Sequence, residues 1–374
     1  MSEIVQERTG RATEVDVEQQ VEELVGRLFL GGVAAFELLT IHLGTELGLY
    51  DALEGSGGCT APGLAAASGI DARYAREWLE QQAAAGIVDV DDPEAPEDER
   101  VFRLPAAHAE VLAHEESLAY LAPMGGLVAS LGGLLPRVVD VFRTGEGIRF
   151  GDYGTYLRDG QGAFNRPAFT SLLASDWIAT GLPDLHRRLQ ADPPARILDL
   201  GCGYGWSSVA LATAYPHARV VGVDLDEPSI EAARRHAKEA GVDDRLTFEV
   251  ADASALGSGT FDATFVLEAL HDMAQPVEVL AAIRSARADG GTVVVMDERV
   301  AETFTAPADE VERFMYAASV LHCLPAGRAD QPSVATGTVM RPDTLRRYAT
   351  DAGFTEVEVL PIHHDFFRFY RLAG

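Results

Sequence analysis

The second half of this chain alternates short apolar segments with segments of helical pattern, and this alternation restricts the fold more than any other feature. ARILDLG (195–201) and ARVVGVDL (218–225) are each followed by a helical pattern, WSSVALATAYP (206–216) and PSIEAARRHAKEAG (228–241). Strands that are apolar along their whole length are covered on both faces, as in parallel sheets with crossover helices. The sequence therefore predicts an α/β domain over residues 191–374, with a doubly wound and mostly parallel sheet.

The same pattern continues to the end of the chain. The further predicted elements are strands at 245–252, 261–270 and 292–298, and helices at 276–291, about 309–322 and 342–352. Residues 355–372 have the pattern of two strands around a turn, which would close one edge of the sheet. These elements bring the predicted sheet to seven strands.

The first part of the chain has a different order of elements, and a polar tail, residues 1–18, precedes it. The predicted elements are helices at 21–53, 60–70 and 71–88, and short strands at 87–90 and 100–105 around an acidic turn. Helices followed by a hairpin in this order are typical of a winged helix-turn-helix. We therefore predict a mainly α winged-helix domain over residues 19–110.

The charge of the chain argues against nucleic acid as a partner of that domain. The chain has 30 basic and 58 acidic residues, a net charge of −28, and is repelled by phosphates and by anionic membrane surfaces. The helix at 71–88 carries Arg73 and Arg76 but also Glu77 and Glu80, whereas a helix that binds a DNA groove needs a positive surface. We expect an interaction or dimerisation module, with neither a nucleic-acid nor a membrane partner.

The cysteines and the first residues indicate the compartment. Cys59, Cys202 and Cys323 are far apart and form no C-x-x-C pair, which is typical of neither a zinc knuckle nor a redox dithiol. The chain shows no apolar leader and no uncharged run as long as a membrane span. We therefore expect a cytoplasmic protein.

Residues 111–190 are predicted to be a mainly helical linker that contributes to a substrate pocket. Within it, GIRFGDYGTYLRDGQGAFNRP (147–167) combines glycines with Phe150, Tyr153 and Tyr156. A loop of this composition between two domains either closes over a ligand or is an ordinary packed linker. In the first case Tyr153 is a candidate cofactor contact.

A glycine-rich turn carries the strongest functional signal. In DLGCGYGWSS, Gly201, Gly203 and Gly205 lie between a strand and its helix, where glycine lets the backbone approach a ligand and the helix offers free N–H groups. The spacing is G-x-G-x-G, which differs from the dinucleotide fingerprint and disfavours an NAD enzyme. Asp224 ends the next strand, where a carboxylate can bind a ribose, and Asp252 ends the third, near an adenine amino group.

The chain resembles the class I S-adenosylmethionine-dependent methyltransferases over about residues 195–372. The segments that carry this resemblance are ILDLGCGYG, VVGVDL, EVAD, FDATFVLEALHD and GGTVVVMDE. With the winged-helix part, it is similar to two-domain small-molecule methyltransferases, including plant-type O-methyltransferases and actinobacterial secondary-metabolite enzymes. The resemblance implies a Rossmann-like fold, S-adenosylmethionine as cofactor and a homodimer formed through the first domain. It also implies that Asp199 lies with the glycines around the methionine and ribose, and Ala253 with Asp252 around the adenine. Leu225, next to Asp224, and Glu268, near the end of the fourth strand, complete the predicted cofactor site.

His271 is the candidate catalytic base. Transfer of a methyl group to a hydroxyl requires removal of a proton, a task that suits histidine. The LHD that ends in Asp272 resembles the LHDW segment of plant-type O-methyltransferases, although Met273 follows here. In that family acidic residues after the fifth strand orient the histidine, and Asp297 and Glu298 lie there. We predict O-methylation of an aromatic or other secondary metabolite; the alternative is that His271 is a core or capping histidine.

His322 is a second candidate in the acceptor pocket, although it also suits a helix C-terminus as a cap. If His271 and His322 converge with Asp272 nearby, they could bind a metal, as in some keto-acid C-methyltransferases of similar layout. Three alternatives therefore stay open: transfer to carbon, transfer to nitrogen, each with or without a metal, and a non-catalytic regulator that senses S-adenosylmethionine. His363 and His364 are interpreted as structural.

Overall fold

The computed structural model describes residues 14–256 and 261–374, except the side chains of 14–16 and 255. The chain divides into two compact units, one up to His108 and one from Ala109 to Gly374. Residues 1–13 of the predicted polar tail lie outside the described residues. The first helix begins at Glu14, so residues 14–18, predicted as tail, are helical.

The first unit has the winged-helix order of elements that the sequence predicts. It contains α1 (Glu14–Glu46), α2 (Leu49–Ser56), α3 (Ala61–Ser68), α4 (Ala72–Ala84), β1 (Asp89–Val90) and β2 (Phe102–Arg103). The single helix predicted over 21–53 is interrupted, because Gly48 adopts a left-handed φ of 63° between α1 and α2. Asp71 caps α4 as expected, since its carboxylate accepts hydrogen bonds from the N–H groups of Arg73 and Tyr74.

Helix α1 leaves most of its apolar side chains uncovered. Phe29 and Phe36 are 71% and 72% exposed. The helix over Val17–Glu46 is long and apolar enough to cross a membrane, and none of its most apolar window is buried, although Glu37 interrupts the apolar run. Helices of soluble proteins meet the same criterion, so length and composition alone do not assign α1 to a membrane.

The second unit begins with helices that precede the sheet. They are α5 (Ala106–Leu112), α6 (Pro123–Gly133), α7 (Leu135–Thr144), α8 (Thr155–Ala168), α9 (Ala179–Gly181) and α10 (Pro183–Gln190), with a 3₁₀ turn at Phe150–Tyr153 and a π-helical segment at Phe169–Ile178. The prediction of a loop over 147–167 is wrong, because α8 occupies most of that segment.

The sheet confirms the predicted doubly wound, mostly parallel α/β fold. Its strands are β3 (Arg196–Leu200), β4 (Arg219–Asp224), β5 (Leu246–Val250), β6 (Phe261–Leu267), β7 (Arg287–Glu298), β8 (Glu356–Val359) and β9 (Phe367–Ala373). Their order is β5-β4-β3-β6-β7-β9-β8. Only β9 breaks the parallel arrangement among the paired strands described, since it runs antiparallel to β7 and β8.

Helices cover both faces of this sheet. Among them are α11 (Trp206–Ala214), α12 (Glu227–Glu239), α13 (Pro276–Ala286) and α16 (Pro342–Asp351). The remaining elements are α14 (Glu310–Ala318) and α15 (Leu324–Gly327), a π-helical segment at Ser319–Cys323, and 3₁₀ turns at Ala253–Ala255 and Leu270–Asp272. The helix predicted over 276–291 ends early, because β7 begins at Arg287, which pairs with Phe261.

The core has one apolar layer on each face of the sheet, because neighbouring residues of a strand point to opposite sides. On β3, Ile197 packs in the layer that contains Trp177. Leu198 packs in the other layer with Leu280 and Leu345. The two layers fix the parallel strands so that their carboxyl ends meet at one edge, where open α/β sheets bind ligands.

Candidate active site

The chain turns sharply after β3, at the carboxyl edge of the sheet. Gly201 has a φ of 71°, and a Cβ at this position would lie 2.5 Å from the Cβ of Ala269, so only glycine fits. Gly203 has a φ of 48°, and a Cβ there would meet no atom within 4 Å. The backbone at Gly203 is therefore open to a ligand from the adjoining cavity.

That cavity has a volume of about 1250 Å³. The predicted site residues that line it are Gly201, Gly203, Gly205, Asp224, Leu225, Asp252, Ala253, Glu268, His271, Asp272, Glu298 and His322. The structure thus brings together residues from the ends of β3, β4, β6 and β7. Two predicted cofactor residues, Asp199 and Tyr153, do not line the cavity.

Asp224 lies at the end of β4 with both carboxylate oxygens held by the backbone. Oδ2 accepts a hydrogen bond from the N–H of Gly203 at 2.8 Å, and Oδ1 accepts one from Asp226 at 2.9 Å. Burial raises the pKa of Asp224, and these hydrogen bonds oppose that effect. Each oxygen keeps a further lone pair, so the carboxylate can accept hydrogen bonds from a ligand hydroxyl.

Asp252 and Leu225 also line the cavity. The Asp252 carboxylate accepts hydrogen bonds from the backbone N–H and the hydroxyl of Ser254, both at 2.8 Å. These bonds lower the pKa of Asp252, so the carboxylate is fixed and ionised. Leu225 is 62% exposed, and it offers an apolar surface next to Asp224 for a flat ligand ring.

The structure corrects the expectation for Asp199. This residue is 1% exposed, and its Oδ2 accepts hydrogen bonds from the hydroxyls of Ser207 and Ser208 at 2.6 and 2.5 Å. Burial raises the pKa of Asp199 to about 6, although the two hydroxyls oppose the shift. Asp199 therefore ties β3 to the first turn of α11 and positions the glycine turn from behind.

The structure also corrects the expectation for Tyr153. Its hydroxyl donates to the carbonyl of Leu321 at 3.1 Å, and its ring packs edge-on against His322 with centroids 4.5 Å apart. Tyr153 is buried and lies behind the cavity wall. It therefore holds the segment that carries His322 instead of contacting a cofactor.

His271 lies in the 3₁₀ turn that follows β6, and it is surrounded by acidic side chains. Nδ1 lies 3.0 Å from Asp297 Oδ1 and 3.1 Å from Glu298 Oε2, and Nε2 lies 3.4 Å from Asp272 Oδ1. Burial alone would lower the pKa of His271, but the charges of Glu298, Asp297 and Asp272 outweigh burial and raise it well above the usual value. The imidazole is thus fixed in orientation and is strongly basic.

Glu268 and Glu298 form a second acidic pair beside His271. Burial raises the pKa of both carboxyls. The charge of Glu298 raises the pKa of Glu268 further, whereas Asp297 raises that of Glu298 and His271 opposes it. The side-chain amide of Asn165 donates to Glu268. Glu268 has a φ of 53°, a left-handed conformation that is rare outside glycine. Such strained residues cluster at functional sites, and this one lines the cavity.

His322 lies in the π-helical segment after α14 and lines the cavity. It is 3% exposed, and its Nδ1 lies 3.4 Å from Cys323 Sγ. Its Nε2 is buried and has no hydrogen-bond partner among the described residues. Burial lowers the pKa of His322, so the ring is neutral near pH 7.

Helix α8, whose role the sequence pattern did not reveal, is attached to the rim of the cavity. Arg158 donates hydrogen bonds to both carboxylate oxygens of Asp226 at 2.7 and 3.0 Å. Asp159 accepts a hydrogen bond from the hydroxyl of Tyr204 at 2.6 Å. The side-chain amide of Asn165 donates a hydrogen bond to Glu268. The available signal was the spacing of Arg158 and Asn165, which puts both on one helix face.

The geometry also bears on the metal alternative. The donor atoms of His271, Asp272 and Cys323 all lie within 4.8 Å of one another, as do those of His271, Asp297 and Glu298. The first group, with a thiol, an imidazole and a carboxylate, has donors suited to a transition metal. His322 belongs to neither group. A metal therefore stays an alternative, with Cys323 in the place that the sequence pattern suggested for His322.

Residues 191–341 match a family model described as a methyltransferase domain, and residues 34–114 match one described as an Rv2258c-like winged HTH domain. The chain is 31% identical over 173 residues to the ubiquinone biosynthesis O-methyltransferase of Aromatoleum aromaticum, which is 46% of this chain and 68% of that relative. The chain belongs to the class I S-adenosylmethionine-dependent methyltransferases.

Two further similarities have a lower sequence identity. The chain is 29% identical over 173 residues to the ubiquinone biosynthesis O-methyltransferase of Psychrobacter arcticus, which is 46% of this chain and 63% of that relative. The solved structure of mitomycin 7-O-methyltransferase is similar in fold, with a TM-score of 0.67 and 20% identity over 96% of this chain and 99% of that one.

The cofactor of the family is S-adenosylmethionine, and the residues at the carboxyl edge of the sheet fit it. Gly203 leaves open space beside its backbone, the Asp224 carboxylate can accept from the two ribose hydroxyls, and Leu225 with Ala253 offers apolar surface to the adenine. When bound there, the cofactor supplies an electrophilic methyl group on a sulfonium.

Proposed function

We propose that this protein transfers the methyl group of S-adenosylmethionine to a hydroxyl of a small aromatic or other secondary metabolite, with His271 as the general base. The observation that carries the proposal is the position of the His271 imidazole. It lines the cavity beside the cofactor residues, and Asp297 fixes its Nδ1 at 3.0 Å. Nε2 is the atom left to take a proton.

In the proposed reaction, the acceptor oxygen forms a bond to the methyl carbon while the carbon–sulfur bond breaks. The proton of the hydroxyl passes to Nε2 of His271, and Asp297 and Glu298 stabilise the imidazolium that results. The apolar walls hold the acceptor in line with the methyl group, and alignment of this kind supplies a large part of the rate enhancement. A positioned base contributes a further factor of roughly 10²–10⁴.

The lining of the cavity beyond the cofactor residues supports an aromatic acceptor. It includes apolar and aromatic side chains from α6, α8 and α14 with the adjoining π-helical segment, among them Leu127, Phe164, Met315 and Leu321. A cavity of about 1250 Å³ exceeds the usual range for a single small-molecule site, roughly 300–1,000 Å³. It therefore has room for an extended acceptor next to the cofactor.

We infer further that the protein is a cytoplasmic homodimer whose winged-helix unit is a dimerisation module, and that α8 closes over the cofactor. The exposed apolar residues of α1, among them Phe29 and Phe36, support the first point. The contacts of α8 with Asp226, Tyr204 and Glu268 support the second.

The experiment is a methyl-transfer assay with isotopically labelled S-adenosylmethionine and a panel of phenols. We expect His271→Ala to lower kcat by about 10²–10⁴-fold, because a positioned base is worth that much. His363→Ala is the matched control, since His363 is exposed at the far end of the chain.

The outcomes separate the proposal from its alternatives. Full activity of His271→Ala would mean that the acceptor loses no proton to this residue, which favours transfer to nitrogen or carbon. Cofactor binding without transfer to any phenol, amine or keto acid would favour a sensor of S-adenosylmethionine.

A further inference from the structure

The turn between β8 and β9 contributes to the wall of the cavity next to the proposed base. Phe366 and Phe367 both line the cavity, and Phe367 is the first residue of β9. In the ladder between β7 and β9, Phe367 lies opposite Glu298, whose Oε2 is 3.1 Å from Nδ1 of His271. The turn therefore ends beside an acid that holds the proposed base.

Three hydrogen bonds hold residues 364–366 in place. The backbone N–H of Arg299 donates to the carbonyl of Phe366 at 2.7 Å, and the Arg299 guanidinium donates to the carbonyl of His364 at 3.0 Å. The N–H of Phe366 donates to Nδ1 of the His364 ring at 3.2 Å. Since Arg299 directly follows Glu298 at the end of β7, these bonds attach the turn to the edge of the candidate active site.

Two aromatic side chains fix the orientation of the His364 ring. The imidazole stacks on Phe367, with ring centroids 4.7 Å apart and an angle of 19° between the planes. It also packs against Trp177 edge-on, with centroids 5.5 Å apart, and Trp177 belongs to the core layer on this face of the sheet. The ring is therefore held with Nδ1 within reach of the N–H of Phe366.

Only one protonation state of His364 makes the hydrogen bond to Phe366. An imidazole nitrogen accepts a hydrogen bond only when it carries no proton, so the bond requires a neutral ring with its hydrogen on Nε2. A proton on Nδ1 would set two N–H donors against each other at the 3.2 Å that now separates the two nitrogens. His364 thus holds the turn as a neutral side chain and releases it as a cation.

The surroundings of His364 keep the ring neutral near pH 7. Burial lowers the pKa of His364, and the charge of Asp365 opposes that effect. The other titratable groups of the turn and its tie are the exposed His363 and Arg299, and the positive charge of Arg299 does not favour a second cation. With a pKa below the ordinary value of about 6.5, the hydrogen bond is present at neutral pH and is lost as the pH falls through this lowered pKa.

We propose that His364 is a positioning residue, whose neutral ring holds Phe366 against the cavity and whose protonation releases Phe366 and weakens acceptor binding. This inference rests on the proposed methyl transfer, since the acceptor is the molecule that packs on Phe366. The Phe366 side chain is 38% exposed, so the backbone bonds of the turn, more than packing, fix its position. An acceptor loses apolar contact when this ring moves away.

Hydrogen exchange at the Phe366 amide, followed by NMR in the full-length protein, tests the bond directly. A neutral hydrogen bond corresponds to about 2- to 10-fold in an equilibrium constant. We expect protection of this amide, corrected for the intrinsic exchange rate, to fall by that factor when the pH is lowered from about 7.5 to 5, across the ordinary pKa of histidine.

Two variants and a control link this effect to the imidazole. His364→Asn should keep the protection at both pH values, because an asparagine oxygen accepts from the N–H two residues on and does not titrate. His364→Phe keeps an aromatic ring but has no acceptor, so protection should be low at both pH values. His363→Asn changes the exposed neighbouring histidine and should behave as the unmodified protein does.

Calorimetry with 2-naphthol as the probe, on the complex with S-adenosylhomocysteine, measures the consequence for the acceptor. We expect the Kd of the unmodified protein to rise on acidification, and the rise to be smaller in His364→Asn by about 2- to 10-fold. Burial raises the pKa of Asp199 to about 6 and lowers that of His322, so both groups titrate in this range. His364→Asn retains them, so the comparison isolates His364. Phe366→Ala should bind 2-naphthol weakly at both pH values.

Three results would overturn the inference. They are equal protection of the Phe366 amide at both pH values in the unmodified protein, a pH dependence that persists in His364→Asn, and 2-naphthol binding that is absent or responds to pH equally in both proteins. Methyl transfer to a phenol without any of these pH effects leaves the proposed function intact. Failure of every phenol to be methylated, with the exchange results as expected, would instead contradict the function.

Discussion

Three carboxylates surround the His271 imidazole and decide the pH at which it can act as a base. Burial alone would lower the pKa of His271, but Glu298, Asp297 and Asp272 raise it well above the usual value. A raised pKa keeps the ring protonated to a higher pH than the ordinary value of about 6.5. The basic form therefore accumulates, and kcat/KM rises, only as the pH increases through this raised pKa.

Glu298→Gln tests this relation between charge and rate. Glu298 contributes the largest of the charges that raise the pKa of His271, so its removal lowers that pKa. We expect the rising limb of the pH profile of kcat/KM to move to lower pH. Glu302→Gln, an exposed acid in the next loop, should leave the limb unchanged, and an unmoved limb in Glu298→Gln would show that Glu298 does not control the base.

The location of a site residue could be predicted from the sequence where the residue lies at the end of a strand or shortly after it. Asp224, Asp252 and His271 follow strands at the carboxyl edge, and the alternation of strands and helices identifies that edge. Asp199 and Tyr153 do not line the cavity, because their side-chain directions depend on tertiary contacts. Ser207 and Ser208 draw Asp199 away from the cavity.

Helix α8 is the element that links the cavity wall to the cofactor residues. Arg158 pairs with Asp226, and both side chains are only 12% exposed. Burial alone would raise the pKa of Asp226, but the hydrogen bonds from Arg158 and Ser229 outweigh it and lower that pKa. Because Asp226 follows Asp224 closely, release of α8 would open the cavity next to the ribose-binding carboxylate.

Arg158→Ala should loosen this attachment. A hydrogen bond between charged groups is worth about 1.5–3 kcal/mol, so we expect KM for S-adenosylmethionine to rise about tenfold or more, with faster release of S-adenosylhomocysteine and little change in kcat. Stopped-flow fluorescence and steady-state kinetics measure these quantities. Arg187→Ala removes an exposed pair within α10 and is the control. Equal cofactor kinetics for both variants would exclude α8 as a lid.

Element boundaries show what sequence patterns resolve and what they leave open. The strands were predicted because an apolar strand between two helical layers has a distinctive composition. The end of α13 was misplaced because Arg287 pairs with Phe261 of β6, a tertiary contact that helix periodicity does not report. For α8, the glycines and aromatics indicated a loop, but packing against α6 and α11 stabilises a helix.

At the scale of the whole molecule, the outstanding feature is the uncovered apolar surface of α1. Phe29 and Phe36 are more than two-thirds exposed, and no residue in the most apolar stretch of this helix is buried. Large exposed apolar surfaces are uncommon in monomers and mark interaction sites. The sequence revealed the apolar pattern of α1 but not that its own unit leaves it exposed, because only packing distinguishes a core helix from an interface helix.

The double variant Phe29→Asp, Phe36→Asp should therefore weaken the dimer. Charged residues in an apolar interface are costly to bury, so we expect the mass measured by light scattering to fall from twice the chain mass towards a single chain. Tyr74→Asp changes an aromatic side chain that is 77% exposed on α4 and should leave the dimer intact. A monomeric unmodified protein, or one recovered only with membranes, would contradict the dimer.

We expect the glycine turn, Asp224 and Asp252 together to bind S-adenosylmethionine. Equilibrium dialysis with the labelled cofactor tests it most directly, with folding checked by circular dichroism. We expect one bound cofactor per chain and a loss of affinity of about tenfold or more in Asp224→Ala, with no loss in Asp243→Asn, which changes an exposed carboxylate between α12 and β5. Folded protein that retains no cofactor at millimolar concentration, or Asp224→Ala that binds as tightly as the unmodified chain, would contradict it.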